Sequence, residues 1–147
     1  MGFSVSGATV ILFLGLFISF GIAYSAASDG FEQVHDAYQD STDDDLVRTN
    51  TGIEIAEASV ANQDGQLYLN VTVNNTGTTT LSVDDTDILI DGTYRAHTEI
   101  DVLEVEGNSE TDLWLPGEQL QVNASVASEP SRVKVVSEPG VADGEVI

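Results

Sequence analysis

The chain has 147 residues, with 25 Asp and Glu against 4 Lys and Arg, a net charge of −21, and no cysteine. So acidic a chain is unsuited to nucleic acid, whose phosphates need Lys and Arg, and to an anionic membrane surface. Without cysteine no disulfide framework is available, so any fold must rest on its core.

Residues 1–28 contain no charged side chain, and residues 8–27 read ATVILFLGLFISFGIAYSAA. A helix of about 20 such residues, at roughly 1.5 Å rise each, matches the ~30 Å hydrocarbon core of a bilayer and satisfies its own backbone polar groups. The apolar run exceeds a typical signal-peptide core and lacks a basic n-region, so a retained anchor is expected over a cleaved leader. The N-terminus is expected inside and the C-terminal domain outside. Two features mark this helix. Phe13, Phe17, Phe20 and Tyr24 share one side by their 4-3-4 spacing. Gly15, Ser19, Ala23 and Ala27 recur every four residues and form a small-residue ridge, expected to lie well away from the aromatics and to suit close helix packing in lipid.

Residues 29–50 read as a helical stalk. Phe31, Val34 and Tyr38 fall at i, i+3 and i+7, and such a stripe points to a partner helix, a homodimer being one such pairing. Asn50-Thr51-Gly52 is a breaker and sets a boundary before the remaining domain, residues 51–147.

From Ile53 the periodicity becomes two, with a slip near Ala56-Glu57 of the kind a β-bulge produces. In the run from Gln66, Leu67, Leu69, Val71 and Val73 face one way, and Tyr68, Asn70, Thr72 and Asn74 the other. Asn75-Thr76-Gly77 is a turn, and Leu81 and Val83 follow. Ile88-Leu89-Ile90, Asp91-Gly92 and Thr93-Tyr94-Arg95 spell a two-residue hairpin. Further strands are expected over residues 100–105, at Leu113-Trp114-Leu115 before the Pro116-Gly117 turn, over Leu120, Val122, Ala124 and Val126, and at Val133 and Val135. Pro130 and Pro139 punctuate the last stretch, and residues 140–147 are expected to fray or to add at an edge. About seven short strands with turns at this spacing predict an all-β, immunoglobulin-like sandwich on its transmembrane helix and stalk.

Three N-x-S/T sequons, at Asn70, Asn74 and Asn123, sit on outward strand positions and are reachable for N-glycosylation if the domain is outside the cell. Asp84, Asp85, Asp87 and Asp91 cluster in sequence, but their spacing is not that of a calcium loop, and a solvated acidic edge is the expectation. His35 and His97 are the only histidines and no nucleophile motif flanks either, so both are expected as exposed polar residues and no catalytic, metal or cofactor site is expected. Trp114 is expected as a core aromatic, with a recognition hot spot as the alternative. Acids spread over a folded surface suit concentrated salt, where screening removes self-repulsion.

The opening MGFSVSGATVILFLGLFISFGIAYSAASDGFEQV resembles the N-terminus of the FlaF (ArlF) archaellum accessory proteins of salt-loving archaea. VTVNNTGTTTLSVDDTDILIDG and LWLPGEQLQV look like the sandwich domain of the FlaF/FlaG and archaellin families. The resemblance implies a non-catalytic motility component, a stator in the archaellum (the archaeal flagellum) that binds the S-layer glycoprotein, works with a FlaG-like partner, and sits in the cytoplasmic membrane with its domain in the pseudo-periplasmic space. A filament subunit, archaellin- or pilin-like and polymerising through the N-terminal helix, is the alternative. Residues 1–7 lack the basic leader of archaellins, which favours the stator.

Overall fold

The computed structural model describes residues 3–147, with side chains from Ser6 onward. Two compact units are present, residues 1–43 and residues 44–147. A single α-helix, α1 (Phe3–Asn50), makes up the described part of the first and continues into the second. Residues 13, 17, 20 and 24 are 60–73 % exposed, and α1 is long and apolar enough to cross a membrane. No Pro interrupts it.

Among the described residues ten strands follow: β1 (Ile53–Gln63), β2 (Gln66–Asn75), β3 (Leu81–Ser82), β4 (Asp87–Ile90), β5 (Thr93–Arg95), β6 (Val102–Val105), β7 (Leu113–Trp114), β8 (Gln119–Val126), β9 (Arg132–Val136) and β10 (Ala142–Val146). They form two four-stranded sheets, ordered β1-β2-β8-β6 and β10-β9-β4-β5, and a two-stranded ribbon β3-β7. Every strand pair is antiparallel.

Alternation places the core. Leu69, Val71 and Val73 of β2, Leu120, Val122 and Ala124 of β8, Ile88 and Ile90 of β4, and Val133 and Val135 of β9 are buried in one cluster with Leu81 and Trp114 of the ribbon. The expected bulge is present, as a register shift between Ile55 and Glu57. Asp91 and Gly92 have φ of 50° and 79°, the left-handed pair a two-residue hairpin requires.

Four expectations need correction. The strands number ten rather than about seven among the described residues; β10, mostly exposed, carries no alternation of its own to read. The strand expected over residues 100–105 begins at Val102, since His97–Glu99 form a 3₁₀ turn first. The small-residue ridge is not well away from the aromatics: Ser19 and Ala23 line one shallow apolar depression with Phe13, Phe17 and Phe20. A four-residue step overshoots a full turn by about 40°, so the ridge winds toward the aromatic side. Finally, His97 is not an exposed polar residue; it is half-buried and its Nε2 lies 2.8 Å from the Thr86 carbonyl oxygen.

Candidate functional site

One polar surface of the β unit is the outward face of the β1-β2-β8-β6 sheet. Period 2 turns Leu69, Val71 and Val73 to the core, and so turns Tyr68, Asn70 and Thr72 outward. The β2–β8 register sets Asn70 opposite Asn123 and Thr72 opposite Gln121, while β6 brings Val102 beside Asn123 and Glu104 beside Gln121. These side chains and Gln63 line a depression of about 450 Å³. Amides and hydroxyls dominate it, on a protein whose surface is otherwise crowded with carboxylates.

Two of the three sequon asparagines meet in this depression. Asn123 donates from Nδ2 to Asn70 Oδ1 at 2.6 Å. A glycan on Asn123 replaces one Nδ2 hydrogen, and at either position it covers the depression. Asn74 is half-buried on the same strand face, and its Oδ1 is buried without a hydrogen-bond partner. All three sequons are thus partly buried on their outward positions.

A second depression of about 520 Å³, also polar, is lined by Arg48, Asp44 and Asp45 of the last helical turns together with Thr79, Thr80 and Glu138. The end of α1 is held there by backbone contacts. Asn50 O accepts from Thr78 N at 2.8 Å, and Gly52 O accepts from Thr76 N at 2.8 Å and Gly77 N at 3.0 Å. A Cβ on Gly77 would lie 2.5 Å from both Asn50 O and Gly52 N, so only glycine permits this approach.

The acidic cluster does not converge. Among the described residues no group of three or more His, Cys, Asp or Glu could hold a metal ion. Asp91 instead accepts from the backbone of Ser131 and Arg132, at 2.8 and 3.2 Å. Sequence reading missed Asp112, whose Oδ1 accepts from Asp84 N and Ser82 Oγ, both at 2.8 Å. The Asp84 amide above all, and then the Ser82 hydroxyl, hold its carboxyl below the usual range.

Asn75 was also missed as anything beyond a turn residue. It is 1 % exposed, donates to Thr79 O and Trp114 O at 2.9 and 3.1 Å, and accepts from Gly77 N at 3.1 Å. Trp114 is fully buried and its Nε1 donates to Glu118 O at 2.9 Å, so it packs in the core and offers no recognition surface. Leu113 and Leu115 beside it are exposed. In the helix, Phe31, Val34 and Tyr38 are 77, 55 and 71 % exposed, and His35 bonds only its neighbour Gln39 at 3.0 Å among the described contacts.

Comparison with protein-family models finds no match to this chain, and comparison with curated proteins finds no relative.

Proposed function

We propose that this chain is a non-catalytic, single-pass membrane anchor whose outward domain, an immunoglobulin-like sandwich, tethers an archaellum motor to the S-layer glycoprotein as part of its stator, alongside a FlaG-like partner. The observation that carries the reading is the pairing of a bilayer-length apolar helix with a β unit that has an amide-rich depression on one face, with Glu104 the one carboxylate lining it. The resemblance of the N-terminal segment to FlaF proteins supplies the motor context. The acidic surface fits concentrated salt, where carboxylates hold water and charge repulsion is screened within about 3 Å.

The contact is assigned to Tyr68, Asn70, Thr72, Gln121 and Asn123. Amide and hydroxyl groups bind through short-range hydrogen bonds that salt does not screen away, and Tyr68 adds an aromatic face to them. On this reading Asn70 and Asn123 carry no glycan, and peptide mass spectrometry of the protein from its native membrane shows both unmodified. A glycan on either would move the contact off this face.

Fractionation of cells separates the tether from a filament subunit. The tether stays with the cytoplasmic membrane after shearing and enters detergent. Recovery in the sheared polymer would instead establish the filament reading.

A further inference from the structure

The aromatic stripe of the membrane segment and the apolar stripe of the stalk are one seam. Because α1 is unbroken from Phe3 to Asn50, residues 10 to 38 keep a single helical phase. Val10, Phe13, Phe17, Phe20, Tyr24, Ala27, Phe31, Val34 and Tyr38 then follow one another at 3-4-3-4-3-4-3-4, the heptad spacing of a coiled coil. The seam stops where its next positions become Ser41 and Asp45. From this we propose that α1 pairs in parallel with a second copy of this chain along residues 10–38, the two copies inserting in the same direction.

Charge selects a second copy as the occupant. Two chains of net charge −21 repel unless their carboxylates face apart. At 3.6 residues per turn, Asp29, Glu32, Asp36, Asp40 and Asp43 all fall within an arc of roughly 80° opposite the seam. The positions flanking the seam in the stalk are Ser28, Gly30, His35, Ala37 and Thr42, none of them acidic. A basic partner helix would call for carboxylates at these flanking positions. Small residues there also let large seam side chains enter the spaces of the facing helix.

The area is sufficient. The six seam aromatics are 60–77 % exposed. At ~200 Å² for a whole aromatic side chain they offer roughly 800 Å² per helix, the share each partner gives to a standard interface. Phe31, Val34 and Tyr38 add the hydrophobic effect outside the bilayer, and the residues within it add packing. A seven-residue repeat lags the helix by about 20° each time, so the pair winds left-handed.

The pairing is independent of what the β unit binds. The chain has no cysteine, so single cysteines placed along residues 27–40 of the full-length protein report one site each. In phosphatidylcholine–phosphatidylglycerol vesicles at molar KCl, oxidation should give covalent dimer at positions 27, 31, 34 and 38 and little at 29, 32, 36 and 40. Trp114 emission verifies the β unit in every variant. Replacing Phe17, Phe20 and Tyr24 by Ala should then lower the dimer yield at position 31, because both halves belong to one seam. No dimer, dimer without this spacing, a ladder of larger species, or a yield at 31 indifferent to the triple change would overturn the proposal.

Discussion

At the residue scale, polar side chains that satisfy loop backbone organise the β unit, the Asn75 amide and the Asp112 carboxylate among them. Asn75 ties the turn after β2 to the chain at Thr79 and Trp114. Asn75→Ala removes the amide donor from those two carbonyls in a buried site, while the Gly77 amide keeps the Gly52 carbonyl, at a cost of roughly 2–4 kcal/mol. Urea unfolding followed by Trp114 emission measures it. Asp112 plays the matching part at the β3–β7 ribbon. Its carboxyl is lowered from 3.8, so its contribution is present above that value and lost as pH falls through the lower folded one. Asp112→Asn should therefore destabilise at neutral pH and flatten the acid limb of the stability profile, as thermal melts across pH 2–7 would report. Neither role was legible beforehand. Asn75 carries the composition of any turn residue, and Asp112 is one of 25 acids, distinguished only by lying beside Ser82 and Asp84 once the ribbon has formed.

At the element scale, what could be read from sequence was whatever had a local cause. Leu69, Val71 and Val73 alternate because β2 is central and one of its faces is the core. Asp91-Gly92 turns because both residues take positive φ, and the bulge near Ala56 shows as a break in the alternation of β1. Asp64-Gly65, at φ 52° and 89°, closes the β1–β2 hairpin by the same chemistry and could have been found that way. The edge strand β10 had no such signal, since Ala142–Val146 is mostly exposed and its place is set by pairing with β9 and by Asp143 Oδ2 accepting from Ile55 N at 2.8 Å. Asp143→Ala should cost about 1 kcal/mol and increase amide exchange at Ile55. The close approach at Gly77 was equally hidden, being a contact with residues 25 or more positions earlier. Gly77→Ala should cost about 2–3 kcal/mol and raise amide exchange at Thr78, whose N–H is held by Asn50. A variant as stable as the parent would show that this clamp does not hold the helix end.

At the scale of the whole molecule, two physical facts govern behaviour: an uncharged helical segment, up to residue 28, in a helix long and apolar enough to cross a membrane, and a net charge of −21 on the residues after it. Diluting the salt lengthens the Debye length from about 3 Å at 1 M to about 10 Å at 0.1 M, and the carboxylates begin to repel. The β unit should then melt at lower temperature, with Trp114 emission moving red as its buried site opens; an unchanged melt would remove the saline adaptation from the account. The same screening decides how a partner can be held, because in concentrated salt long-range charge attraction is gone and only hydrogen bonds and apolar contact remain. The central claim is that the amide-rich face of the first sheet grips the S-layer under those conditions. The most direct measurement is binding of the full-length chain in detergent to isolated S-layer glycoprotein at near-saturated salt, with Asn70→Asp/Asn123→Asp as the matched variant. The account predicts saturable binding that survives high salt and is lost in the variant while its Trp114 emission stays native. Absence of binding by the folded parent, or equal binding by the variant, would contradict it.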